Sequence, residues 1–141
     1  MPHIITSSLR DGMFFEVDTG EGYLIPIDSA EATGGQGKGV RPLKLFLSSL
    51  AGCSGMDVIS ILRKKRQEVT DLQVRVTAEQ DRDEHPYVYT HIALHFIVTG
   101  KDVKPAAVER AIELTMTRYC PAAIMIAQVV PVETSYEIIE G

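Results

Sequence analysis

Between Leu43 and Leu62 the chain places Leu43, Leu45, Phe46, Leu47, Leu50, Ala51, Cys53, Met56, Val58, Ile59, Ile61 and Leu62. The first half of this run is apolar on nearly every side of a helix, so it has to be enclosed rather than laid on a surface. Pro42 suits the first helical turn, where a missing N–H costs nothing. Arg63-Lys64-Lys65-Arg66 sets cations against the negative end of the macrodipole, which reads as a solvated last turn rather than a nucleic-acid patch. Gly52 and Gly55 flank Cys53 and cost helix stability, which points to close approach of another backbone or a ligand. The rest of the sequence has to cover this helix.

Around it the pattern is that of short strands and amphipathic helices. Met13–Val17 and Tyr23–Ile27, joined through the Asp18-Thr19-Gly20-Glu21-Gly22 turn, predict an antiparallel meander, with Pro26 marking an edge strand. After Glu68 the period becomes two: Leu72, Val74, Val76 and Ala78 on one strand, Ile92, Leu94, Phe96 and Val98 on its return after a charged turn. Pro105 opens a second helix with Val108, Ala111, Ile112, Thr115, Met116 and Tyr119 along one stripe. Pro121 opens a short third helix with Cys120 at its N-cap, and 129–139 reads as a last strand. At 141 residues, with 45% hydrophobic and 23% charged residues, one domain over 1–141 is predicted, large enough for a core without metal or disulfide staples.

Several functions are excluded or disfavoured. The formal net charge of −5, with no Trp, is a poor match to phosphate backbones, so no nucleic-acid partner is expected. No signal-like start and no uninterrupted apolar run of membrane-spanning length is present, so a cytoplasmic chain without a membrane partner is predicted. The glycine-rich Thr33–Gly39 lacks the Gly-Lys-Ser/Thr ending of a phosphate loop and reads as a mobile loop leading into the helix. His91 and His95 share a strand face about 13 Å apart, too far to chelate one metal, and read as solvated. Two cysteines are too few for a four-ligand zinc site, and no cofactor is predicted.

The chemistry therefore rests on Cys53 and Cys120. Thiolates are the reactive form, and the N-cap position of Cys120 offers N–H groups and a positive dipole end that lower a thiol pKa. Cys53 sits in the most apolar segment, where desolvation silences a thiol unless a cation reaches it. Arg10, Lys38, Arg41 and Lys44 are the candidates for that cation. A plain buried Cys53 is the other reading of the residues taken by themselves.

Leu47-Ser48-Ser49-Leu50-Ala51-Gly52-Cys53-Ser54-Gly55-Met56-Asp57-Val58, with Pro42 ahead of it, resembles the first signature of the OsmC/Ohr family, and Arg118-Tyr119-Cys120-Pro121 is similar to the second. The resemblance spans nearly the whole chain in order. It implies an α+β, OsmC-like fold with antiparallel sheets around a buried Cys-bearing central helix, in an intertwined homodimer. It also implies reduction of organic hydroperoxides by a peroxidatic Cys53 and a resolving Cys120. The sulfenic acid would condense to a Cys53–Cys120 disulfide, to be reduced by an external thiol or a lipoyl-type dithiol. Arg10, in an Arg-Asp-Gly turn, matches the family's arginine. The family's glutamate falls on Leu43, with Lys44 beside it, so the carboxylate that would hold the arginine over the thiolate is missing. That departure places the chain with the broader OsmC-like subgroup. The competing readings are a non-enzymatic module holding a hydrophobic ligand at the dimer interface, and a redox-regulated protein without turnover.

Overall fold

The structure, a computed structural model, describes residues 1–141. It divides into two compact units, Met1–Ser48 and Ser49–Gly141. In the first, Gly12, in the left-handed region at φ 53°, turns strand β1 (Thr6–Asp11) into β2 (Phe14–Asp18). β3 (Leu24–Ile27) follows, and β2 and β3 form the antiparallel meander that the turn signals predict, with β1 added on the other edge of β2 in the order β1-β2-β3.

The glycine loop is tied down rather than mobile. Asp28, 2% exposed, accepts the N–H groups of Ser29, Gln36 and Lys38 at 2.8, 2.9 and 3.1 Å. The Gln36 hydrogen bond, ahead of those from Lys38 and Ser29 and of the Arg41 charge, holds the Asp28 carboxyl below its ordinary range, against the opposing effect of burial. Gly35 is where the wrap closes: a Cβ there would lie 1.7 Å from the Ser29 carbonyl oxygen, so no side chain fits.

Helix α1 (Pro42–Lys64) starts at the predicted proline and ends on Arg63 and Lys64. It buries Leu50, Ser54, Val58 and Leu62, one residue per turn along a single stripe. The Ser54 hydroxyl donates to the Leu50 carbonyl at 2.7 Å, so the one polar member of the stripe is satisfied within the helix. The cover all round that the sequence predicts is therefore present in the chain along one stripe only, because one sheet can face only one side of a helix. Met56 is 73% exposed. With 23 residues and a hydropathy of 1.7 in its most apolar window, α1 is long and apolar enough to cross a membrane by length and composition, and beyond Ser49 it approaches β4 (Glu68–Gln80) of the second unit. Gly55 makes that approach: a Cβ there would meet Val74 at 3.2 Å.

The second sheet joins β4 (Glu68–Gln80), β5 (Tyr89–Lys101) and β6 (Val132–Glu140). β4 and β5 are antiparallel, and their register sets Leu72, Val74, Val76 and Ala78 opposite Val98, Phe96, Leu94 and Ile92, the pairs that the alternation predicts for one face. β6 corrects the expectation of purely antiparallel sheets, since it joins β5 parallel. The reason is the connection. Helices α2 (Pro105–Leu114) and α3 (Pro121–Ile126) lie between the two strands, and such a crossover brings the chain back in the same direction.

The β6 register also changes the reading of the histidines. His95 lies between Ser135 Oγ at 2.7 Å and Glu137 Oε1 at 2.9 Å, and His91 faces Glu133 at 3.7 Å. They are strand residues paired across to β6 rather than simply solvated.

Candidate functional site

Cys53 lies midway along α1, and Cys120 lies at the junction of two helical turns. From Thr115 to Tyr119 the chain widens into a π-helical turn, closed by the Cys120 N–H donating to the Thr115 carbonyl at 2.9 Å. Cys120 then serves as N-cap of α3, its sulfur accepting the Ala123 N–H at 3.4 Å. One residue thus ends one helix with its amide and starts the next with its side chain, which fixes the direction of its sulfur. The π-turn also explains a departure from the predicted stripe. Ala107, Val108, Ala111, Ile112 and Thr115 are buried, but Tyr119 is exposed, because the extra residue in the turn rotates it off the 3.6-residue phase.

This folding brings the sulfurs of Cys53 and Cys120 and a carboxylate oxygen of Asp57 within 4.8 Å of one another. Both cysteines are free thiols, Cys120 fully buried and Cys53 partly open. A disulfide forms when two such sulfurs close to about 2.05 Å. Asp57 carried no assigned role in the sequence. The signal for it was present, since a residue four positions after Cys53 on a helix shares its face. Its Oδ2 is buried and has no hydrogen-bond partner. Asp57 also lines a cavity of about 340 Å³ with Ile61, Leu114 and Tyr119, and with Lys64 and Lys65. The basic run at the end of α1 is exposed, as a solvated last turn requires, and Lys64 and Lys65 line this cavity with Asp57.

The N-cap position does not lower the Cys120 pKa as the sequence predicts. Burial pushes the thiol up from 9.0 to about 11, helped by its hydrogen bond with Cys53 and by the charges of Cys53 and Asp57. The Ala123 N–H acts in the other direction and is outweighed. A six-residue helix offers one sulfur–amide contact against the removal of a whole side chain from water.

The four candidate cations all belong to the first unit. Arg10 pairs through Nε with Glu16 Oε1 at 2.9 Å across β1 and β2. Lys38 Nζ meets Asp11 Oδ2 at 3.0 Å and stands 5.9 Å over the Phe14 ring. Arg41 contributes its charge to Asp28. Lys44 lies in the first turns of α1, beside Leu43, where its carbonyl accepts the Ser48 hydroxyl.

A second feature of α1 is a groove of about 560 Å³ against β4, lined by Gly52, Met56, Ile59, Leu72 and Val74 among others. A Cβ on Gly52 would meet nothing within 4 Å. Of the two helix glycines, Gly55 therefore meets a side chain, that of Val74, rather than another backbone, and Gly52 opens onto the groove.

Three comparisons bear on this arrangement. A family model described as OsmC-like protein matches residues 35–135. Protein YhfA of Escherichia coli strain K12 is 42% identical over 129 residues, covering 92% of each chain. Among solved structures, a hypothetical protein from Aquifex aeolicus VF5 superposes with a TM-score of 0.86 at 29% identity, over 100% of this chain and 98% of that one. The organic hydroperoxide resistance protein OhrB of Bacillus subtilis has the same fold at a TM-score of 0.65 and 20% identity, over 97% and 98% of the two chains.

Proposed function

Because the chain belongs to the OsmC-like protein family, we propose that it is a thiol peroxidase that reduces organic hydroperoxides through Cys53 and Cys120. The observation that carries this reading is the meeting of two free sulfurs within 4.8 Å, one on α1 and one on the cap of α3. The name of the Bacillus subtilis protein supplies the substrate class. Burial divides the labour. Cys120 is fully buried with a thiol pushed up to about 11, whereas Cys53 is partly open, so Cys53 is the sulfur that a peroxide reaches.

In the first step the Cys53 thiolate attacks the terminal oxygen of the hydroperoxide, the O–O bond breaks, and the alkoxide leaves as alcohol after taking a proton. Cys53 is then a sulfenic acid. Cys120 attacks its sulfur, water departs, and a disulfide remains. An external thiol, or a lipoyl-type dithiol, returns two electrons and two protons, in the reducing setting of a cytoplasm. Arg10 is proposed as the cation that favours the Cys53 thiolate, on the strength of its Arg-Asp-Gly turn, with Glu16 holding its guanidinium. The open side of α1 is proposed to be covered by a second copy of the chain.

Cumene hydroperoxide added to the reduced protein should consume both thiols at one equivalent and give an internal disulfide. Cys53→Ser should abolish consumption, and Cys120→Ser should leave a Cys53 sulfenic acid that dimedone traps. An intact reduced protein that loses no thiol under excess hydroperoxide refutes the assignment. A second reading, a module holding a hydrophobic ligand, is favoured by the apolar groove between α1 and β4. A ligand retained in native mass spectra with two unreactive thiols would select it.

A further inference from the structure

We propose that Asp57 is the proton acceptor of the Cys120 thiol, taking its proton as the Cys120 sulfur attacks Cys53. The inference deepens the peroxidase reading, since it concerns the second step at the same two sulfurs. Asp57 stands one helical turn after Cys53, and its carboxylate and both sulfurs lie within 4.8 Å of one another. Its Oδ2 is shut off from solvent and accepts nothing. A carboxylate oxygen left in that state costs free energy, and a site that keeps one has a use for it. The two thiols, whose sulfurs lie within 4.8 Å of an Asp57 carboxylate oxygen, carry protons that it can take.

The second step has a matching need. Cys120 is fully buried, and a thiol must lose its proton to attack a sulfur. With the thiol pushed up to about 11, the free Cys120 thiolate is scarce at pH 7. A base at hand removes this barrier, an effect of typically about 10²- to 10⁴-fold. The charged and titratable groups around the carboxylate are Cys53 on its own helix, Cys120 at the α3 cap, Lys64 at the end of α1, Lys65 just beyond it, and Tyr119 from the π-turn.

The step balances. The bond between the two sulfurs forms and the Cys53 S–O bond breaks. The proton moves from Cys120 to the Asp57 carboxylate and on to the departing hydroxide, which leaves as water. The Cys53 sulfur is reduced from sulfenic acid to disulfide, and the Cys120 sulfur is oxidised from thiol to disulfide.

The test uses an aromatic disulfide, 5,5′-dithiobis(2-nitrobenzoate), so that no peroxide chemistry is involved. Cys53 displaces one thionitrobenzoate, and Cys120 then displaces the second by closing the disulfide, which gives two absorbance steps. In the unaltered protein the second step should be nearly flat from about pH 6.5 to 8.5. In Asp57→Asn it should be at least about tenfold slower at pH 7 and climb about tenfold per pH unit, with Asp57→Glu regaining much of the rate. A purely structural role would slow both steps without steepening the profile. The inference is overturned if the second step of the unaltered protein already climbs tenfold per unit, a result that needs no variant to fold. It is equally overturned if Asp57→Asn matches the unaltered protein in rate and slope. A protein that ignores hydroperoxides but closes its disulfide as described would lose the peroxidase reading and keep this one.

Discussion

The sulfur of Cys120 accepts the N–H of Ala123 at 3.4 Å, and that cap does not make the thiol acidic. Burial outweighs the single amide, so the thiol ionises near 11 in the folded protein and near the ordinary 9.0 in the unfolded chain. Iodoacetamide at pH 7 to 8 should therefore label Cys53 and spare Cys120, with peptide mass spectrometry reading the two sites. Cys53→Ala, which removes a hydrogen bond and a charge that both push the Cys120 thiol upward, should bring its labelling to lower pH. The linkage has a sign as well. Between about 9 and 11 the unfolded chain holds fewer protons, so this thiol lowers stability as pH rises through that window. Equal labelling of the two thiols at pH 7 would contradict the assignment of Cys120 as the protected partner.

Asp28 should make the first unit acid-sensitive. Three backbone N–H groups converge on its carboxylate, and its folded pKa lies below the ordinary 3.8. A depressed carboxyl contributes its stability above the unfolded value and loses it as pH falls through the folded one, so the loss falls below about pH 4. Asp28→Ala should lower the melting temperature at pH 7 by roughly 5 °C or more, because three amides lose their acceptor. The difference from the unaltered protein should shrink at pH 3. Calorimetry at both pH values checks it, and a gap that stays constant would exclude the carboxylate charge as the cause.

Much of the fold was legible because it follows from local pattern. Period-two alternation from Leu72 to Ala78 placed one face of β4, Pro42 and Pro105 placed two helix starts, and the turn from Asp18 to Gly22 placed the β2–β3 hairpin. Cys120 at the N-cap of α3 was legible from Pro121. The parallel placement of β6 was not, because strand direction is decided by a crossover of two helices and not by residues within the strand. The π-turn was illegible for a related reason, since nothing in Thr115–Tyr119 breaks the 3.6-residue pattern and the widening is set by where Cys120 must lie. Asp57 was written in the first motif in plain view. Its meaning depends on Cys120, a partner from the other end of the unit, and so it emerged only with the geometry.

Met56 should report on self-association. It is 73% exposed on the side of α1 away from the buried stripe and lines the groove against β4. An apolar side chain in such a place is an anchor when a second copy covers it, and burying a charge there costs several kcal/mol, roughly enough to abolish binding. Met56→Glu should therefore turn the proposed dimer into a monomer in sedimentation equilibrium, with the far-ultraviolet circular dichroism unchanged. A variant that remains dimeric places the interface elsewhere.

Thr115 offers the opposite kind of test, a substitution that should stabilise. Its side chain is fully buried, and its Oγ1 has no hydrogen-bond partner, so folding strips water from a hydroxyl and returns nothing. Its backbone carbonyl, by contrast, accepts the Cys120 N–H at 2.9 Å and holds the π-turn closed. The two roles separate cleanly, because Thr115→Val removes the hydroxyl, keeps the shape and leaves the carbonyl in place. The desolvation cost removed is about 1 kcal/mol or more, a rise of a few degrees in melting temperature for a chain of this size. Both thiols should keep their reactivity, since the turn that aims Cys120 is made by backbone atoms. If Thr115→Val instead lowers the melting temperature or loosens Cys120 toward alkylating agents, the hydroxyl has a partner in solution and the turn depends on it.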